Sequence, residues 1–420
     1  MDHNEKKQLG KSVVWNTIGN LIYYAAQYVL LILATRLAGN TVSGQLSVAM
    51  AVAAICLSFS NYGMRSFQIS DFAHSYTDRT YLISRCLTVG AAALGCVVFT
   101  MAVAYTPAQR WVIVLYTISR LAEGYVDVWH GYLQKADRMD LVGLLFGLRG
   151  LVTILVFGLG LWLTQDVVVT MALLAVLSWV CVFAADVPPA RRTADLGAKG
   201  GGTVWMLLWE CAPLAVYSFL NSSIGSVIKL VCERLVGTEA FACFNNVFAP
   251  VQIIQVGAMY IFAPFMLLFA RYWQAGNKKG YLRAFGIAAA AMPVLWACGA
   301  AGAALLGAWA LGLLYGPDLQ AYAYLLQPAV VAAVTNIFVA ILCYLLSMMR
   351  EMKGLIVGNV AGIAAAFFCA GPLVEWLGLS GAAWATVAAR GVQAAFCLAA
   401  VLWRCRRHFA RPGESGADAT

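Results

Sequence analysis

Apolar runs of membrane-crossing length recur along the whole chain, with polar residues confined largely to the short breaks between them. A helix needs about 20 such residues to span a bilayer core. Runs of that kind fall near residues 12–35, 43–64, 82–104, 111–133, 141–163, 167–185, 204–231, 241–269, 284–312, 322–347, 354–374 and 379–402. The pattern predicts about twelve membrane helices, an even number that returns both termini to one side. The longest polar break, near 186–203, carries Pro188, Pro189, Arg191, Arg192 and the run Gly200-Gly201-Gly202. It reads as a linker between two six-helix halves. The organisation predicted is an N-terminal lobe over 1–190, a linker over 191–203, a C-terminal lobe over 204–403 and a tail over 404–420.

Composition strengthens the membrane reading. Hydrophobic residues make up 62% and charged residues 11%, against about 25% charged in ordinary soluble domains, and mean hydropathy is +0.78. The net charge of +9 does not imply a nucleic-acid partner, because the basic residues sit in short loops rather than on one polar face. Their distribution fixes orientation instead. With the N-terminus inside, 21 of the 28 lysines and arginines fall on inner segments, Arg65 and Arg85 among them. Cytoplasmic loops retain such residues, so both termini are expected in the cytoplasm of a bacterial inner-membrane protein. The twelve cysteines lie mostly within apolar runs without paired metal-site spacing. They read as small fillers, and no metal or cofactor is expected. The N-terminus lacks a cleavable leader pattern.

An internal repeat supports duplication. Arg36-Leu37-Ala38-Gly39 closes the first run and Arg234-Leu235-Val236-Gly237 closes the seventh, an offset of 198 residues. Halves of six helices share one orientation, as in transporters built from parallel repeats. The fold class expected is therefore an all-α polytopic membrane protein, two pseudo-symmetric six-helix lobes around a central cavity.

Ionisable groups within such spans are costly and usually face the bundle interior or water. In the fourth run Tyr116, Arg120, Glu123, Asp127, His130 and Gln134 step by three or four residues and share one helical face. One reading makes this row a wall of a polar path, with Arg120 facing an anionic group. The other pairs Arg120 with Glu123 within the helix. His130, near the inner end, reads as a solvated interfacial histidine. In the first run Asn16, Asn20, Tyr23 and Gln27 repeat at the same spacing, for substrate contact or for hydrogen bonds between helices. Further candidates are Glu210 and Lys229 in the seventh run, Arg149 in the fifth and Arg390 in the last. Four cations (Arg120, Arg149, Lys229, Arg390) against three acids (Glu123, Asp127, Glu210) leave the membrane interior near neutral. Pro213, Pro250, Pro264 and Pro328 interrupt runs, as hinges or as ordinary kinks.

Three stretches carry a family likeness. They are Trp15-Asn16 and Gly19-Asn20 through Arg36-Leu37-Ala38-Gly39 into Gly44-Gln45-Leu46; Glu123-Gly124 through Gln134-Lys135-Ala136-Asp137-Arg138; and Ala212-Pro213-Leu214 through Arg234-Leu235-Val236-Gly237. Leu314-Tyr315-Gly316-Pro317 adds to them. On these the chain resembles the polysaccharide flippases (Wzx type, O-antigen and related transporters) of the multidrug/oligosaccharidyl-lipid/polysaccharide exporter superfamily, over roughly residues 12–400. The resemblance implies translocation of an undecaprenyl-diphosphate-linked glycan for lipopolysaccharide or related surface polysaccharide, by alternating access driven by a proton or sodium gradient. Other polysaccharide-assembly membrane proteins are implied as partners alongside membrane lipids. Arg120, Arg149, Lys229 and Arg390, with Asn20 and Tyr116, become substrate-binding candidates. Glu123, Asp127 and Glu210 become ion-coupling candidates. The near-neutral charge balance departs from a strongly cationic cavity.

A drug/cation antiporter of the same superfamily is the nearest alternative reading. A membrane-embedded polyprenyl-linked glycosyltransferase or polymerase is a further one, but the outer breaks are too short to carry its catalytic loop. The expectation is a transporter and not an enzyme.

Overall fold

The computed structural model describes residues 3–71, 75–198 and 200–410. Its helices are α1 (His3–Asn61), α2 (Met64–Ser70), α3 (Asp78–Ala102), α4 (Pro107–Lys135), α5 (Met139–Thr164), α6 (Val167–Cys181), α7 (Val187–Arg191), α8 (Val204–Val236), α9 (Thr238–Gln274), α10 (Lys278–Tyr315), α11 (Leu326–Met348), α12 (Met352–Leu377) and α13 (Leu379–Ala410). A π turn, Val182–Asp186, joins α6 to α7, and a 3-10 segment, Pro317–Leu325, leads into α11. No strand occurs among the described residues. Every predicted span is helical, and the protein is an all-α polytopic membrane protein.

Local chemistry sets the starts. Thr77, Thr106 and Thr203 each accept the backbone N–H three residues on, at the heads of α3, α4 and α8. Asp166 caps α6 through the N–H groups of Val168 and Val169. Such side-chain oxygens satisfy donors that a helix cannot pair internally. Pro107 in the first turn of α4 removes one of those donors outright.

Nine helical stretches among the described residues are long and apolar enough to cross a membrane. Val14–Ser70, at 57 residues, suffices for two passes, and α1 bends between them at Gly39 (φ 83°, ψ −178°). α4 has the length, at 29 residues, but its charged row makes it less apolar. Exposed Trp111, Trp162, Trp205, Trp209 and Trp376 stand close to helix ends, where indole rings favour the bilayer interface.

The sequence repeat has a backbone counterpart. Gly237, between α8 and α9, has φ 84° and ψ 162°, nearly the values of Gly39. Both lie in a region open essentially to glycine alone. The two turns also meet, since Thr41 donates to Glu239 Oε1 at 2.5 Å across that same offset of 198.

The chain forms two compact units, Met1–Glu233 with Gly237–Cys243 and Arg234–Val236 with Phe244–Thr420. Most of α8 belongs to the first unit and its last three residues to the second. In the first unit α4 touches α1, α2, α3, α5, α6 and α7, so its polar row has protein neighbours to pair with. In the second, α13 packs on α11 and α12, and α10 on α11.

α1 and α5 approach through glycines. A Cβ at Gly143 would stand 2.3 Å from the Trp15 carbonyl oxygen, and one at Gly19 would stand 1.7 Å from that of Gly143. Small residues permit this spacing in membranes. Gly143→Val is expected to destabilise the protein by about 1–3 kcal/mol or more by overpacking. A lower melting temperature in detergent checks it, and an unchanged one would show that α1 and α5 can separate freely.

The linker closes on the corner between α2 and α3. Gly202 N–H donates to Ser75 O, and Asp195 N–H to Asp78 Oδ2, both at 2.8 Å. Burial raises the Asp71 carboxyl, but donation from Ser75, Tyr76 and Tyr81 and the nearby Lys135 outweigh it and hold the group below the usual carboxylate range. Burial pushes the Tyr76 phenol up to about 12, with the Glu210 charge adding to the effect.

Candidate functional site

The α4 row finds partners in three groups. Nearest the α4 start, Tyr116 donates to Gln27 Oε1 at 2.8 Å. One turn on, Arg120 and Glu123 form an ion pair at 2.9 Å. Tyr23 of α1 joins it, donating to Glu123 Oε2 at 2.6 Å while its hydroxyl accepts from Arg120. The Arg120 guanidinium also stands 5.5 Å from the Tyr23 ring centroid. The Arg120–Glu123 pair within the helix therefore exists, and α1 completes it.

Asp127 anchors the second group. It takes Arg85 at 2.7 Å and Arg65 at 3.3 Å, while Arg65 also donates to Gln134 Oε1 at 2.9 Å. Arg85 is wholly buried and donates to the Ser60 carbonyl at 2.6 Å. The sequence placed Arg65 and Arg85 among inner-loop cations. Both prove to be bound to α4: Arg65 lies on α2, and α3, which begins at Asp78, carries Arg85 two turns along it.

The third group corrects the reading of His130. It is 1% exposed, not solvated, with Nε2 2.9 Å from Asp186 Oδ1. Arg149 binds Asp186 Oδ2 at 2.5 Å. Asp186 sat at the edge of the predicted linker, yet the π turn keeps the chain helical and delivers its carboxylate to α4 and α5. Its one sequence signal was a lone acid ahead of Pro188 and Pro189.

The row is closed at some points and open at others. Tyr116 and His130 are buried, whereas Arg120 and Glu123 each keep 16% of side-chain exposure, Asp127 19% and Arg65 23%. Four guanidinium groups (Arg65, Arg85, Arg120, Arg149) face three carboxylates (Glu123, Asp127, Asp186), an excess of one cation, the same balance as the sequence count but with different members. Each carboxylate is shared between two partners, so one can be exchanged without leaving it unpaired.

The remaining candidates lie outside this network. Asn20 donates to Asn16 O and Oδ1 at 2.7 and 3.0 Å, so that pair is satisfied along α1 rather than between helices. Lys229 is half-buried on α8 and forms no ion pair among the described residues. Glu210 is exposed. Glu233, which the sequence did not single out, is buried and accepts from Thr238 at 2.9 Å. In the second unit Arg390 donates to Gln393 Oε1 at 2.8 Å, and Gln393 donates to Asn359 Oδ1 at 3.0 Å. Among the described residues no three His, Cys, Asp or Glu side chains converge as metal ligands. The side chain of Pro264 lies outside the described residues.

Fold and row define a polytopic membrane protein with a charged network inside its first helical unit. The chain belongs to the polysaccharide biosynthesis protein family, whose model matches residues 9–267, and the flippase-family resemblance is upheld. No curated protein matches it in sequence. Solved structures share the fold. An inward-facing multidrug resistance MATE family transporter of the MOP superfamily superposes with a TM-score of 0.70 at 12% identity, over 96% of this chain and 100% of that one. The eukaryotic MATE transporter AtDTX14 gives 0.61 at 11%, over 97% and 99%. A MOP superfamily transporter from Pyrococcus furiosus, described by the reversed polarity of its binding pocket, gives 0.61 at 14%, over 96% of each chain.

Proposed function

We propose that the protein is a flippase that moves a polyprenyl-diphosphate-linked oligosaccharide across the bacterial inner membrane by ion-coupled alternating access. The observation that carries this is the partly exposed Arg120–Glu123–Asp127 stretch of α4, set in an otherwise apolar span. A diphosphate and its sugars cannot cross hydrocarbon unaided, since each buried charge or unpaired hydroxyl costs kilocalories. Arg120, already shared between a carboxylate and a phenol, can exchange partners with a phosphate oxygen in a charge-assisted hydrogen bond. Tyr116 and Asn20 are assigned as further hydrogen-bonding groups for the substrate, and Arg149, Lys229 and Arg390 as further cations. Glu123, Asp127 and Glu210 are assigned to ion coupling. Family membership supports the glycan, and the lysine and arginine distribution supports cytoplasmic termini.

Deleting the gene is expected to make a lipid-linked oligosaccharide accumulate on the inner face while surface glycan falls, both restored by the intact chain. Unchanged lipid-linked pools would overturn the assignment. The MATE likeness favours drug or cation antiport as a second reading. Everted vesicles that extrude cationic dyes, with normal glycan in the deletion strain, would establish it instead.

A further inference from the structure

His130 is placed for more than packing. Its Nε2 is fixed on Asp186, while its Nδ1 is buried without a hydrogen-bond partner. Leaving a polar atom unpaired in the interior costs free energy, and this one is a ring nitrogen able to take a proton. The carboxylate it touches is 3% exposed and already holds Arg149. It rides on the π turn Val182–Asp186, and single π turns inside helices recur at functional sites. The Phe146 ring lies between two parts of the network. Its centroid is 4.9 Å from the His130 ring and 5.3 Å from the Tyr23 ring. The imidazole is thus one aromatic ring away from the hydroxyl that holds Arg120 and Glu123.

We propose that His130, with Asp186 and Arg149, is a proton-binding site of this protein, in addition to the carboxylates assigned to ion coupling, and that the proton enters on Nδ1. The proposal rests on the transport reading above and makes the proton the coupling ion. When the site opens to solvent in the transport cycle, a hydronium ion gives one proton to Nδ1 and leaves as water, and Nε2–H continues to donate to Asp186. One carboxylate then balances an imidazolium and a guanidinium, which loosens its hold on Arg149. The groups facing His130 are Arg149 and Phe146 from α5 and Asp186 from the π turn. Arg65 of α2 is also within electrostatic reach of the imidazole, and it binds Asp127 and Gln134, one turn to either side of His130 on α4. Gln68 of α2 packs at Gly131, and Tyr23 of α1 lies behind Phe146. Arg65 and Arg85 already occupy Asp127, so the added charge falls on the Asp186–Arg149 pair. Arg149 is within electrostatic reach of Tyr23, so a change in its pairing is felt at the Arg120–Glu123 group.

Histidine-labelled protein in lipid nanodiscs, titrated while the imidazole resonances are followed by NMR, tests this. The chain has four histidines, and H130Q identifies the signal by its loss. The expected result is a one-proton transition of His130 between about pH 5 and 8, with its midpoint displaced by about one pH unit or more in D186N. If H130Q fails to fold, the D186N displacement itself identifies the resonance. A His130 signal constant across that interval, or one that titrates identically in D186N, overturns the proposal. No substrate is needed for this measurement, so it decides the proton site even if the gene deletion refutes the flippase reading. In a glycan-producing strain H130Q is expected to lower surface glycan at normal protein level, and full glycan there would remove His130 from the transport cycle.

Discussion

Asp127→Ala is expected to lower the amount of folded protein in the membrane sharply, with a stability loss of about 3–5 kcal/mol. Arg85 is wholly buried, and in this variant it keeps the Ser60 carbonyl but loses its only ion-pair partner among the described residues. A buried charge without its counter-ion is among the costliest defects a substitution can create, whereas removing both charges together is often neutral. The double variant R85M/D127L is therefore expected to recover much of the lost stability. Melting of the detergent-solubilised protein measures both, and a wild-type melting temperature for Asp127→Ala would show the cluster to be energetically idle. D127N keeps the side-chain shape and an acceptor oxygen for Arg85 but not the charge, so coupling is read per folded molecule. If Asp127 takes part in ion coupling, the dependence of glycan export on the proton or sodium gradient changes. An unchanged dependence leaves it a structural group.

Arg120→Ala is expected to behave in the opposite way, retaining the protein and losing the activity. Arg120 is 16% exposed, and Glu123 remains bonded to Tyr23 without it, so no charge is stranded in a dry interior. The loss of one charge-assisted contact to substrate is worth about 1.5–3 kcal/mol, which corresponds to roughly a ten- to hundredfold slower export. R120K is expected to recover only part of it, because an ammonium keeps the charge but not the forked geometry. Normal surface glycan from a well-expressed Arg120→Ala strain would remove the residue from the site.

Contrasted with each other, the two variants show why position within the row matters more than membership of it. Asp127 and Arg120 lie seven residues apart on one face of α4. The first is clamped by two arginines from other helices, one of them fully buried, while the second pairs with its own helix and a single phenol. Spacing alone made them equivalent.

Some of this was legible in the amino-acid order. Span lengths, the polar row, the duplicated Arg-Leu-x-Gly turn and the family likeness all follow from rules that act over a few residues: lipid excludes polar side chains, a helix repeats every 3.6 residues, and one backbone conformation demands glycine. Gly39 and Gly237 share nearly the same dihedral angles for that reason. Partner choice follows no such rule. Asp186 looked like the start of a linker, Arg65 and Arg85 like loop cations, and His130 like an interfacial group. Each is a matter of which helix comes to rest against α4, and packing contacts between residues 37 to 62 positions apart set that. Chain order thus determined that α4 must present a charged face to its neighbours, because hydrocarbon would not accept it. Tertiary structure decided which carboxylate neutralises which guanidinium, because ion pairs depend on separations of a few ångströms that only the folded helices define.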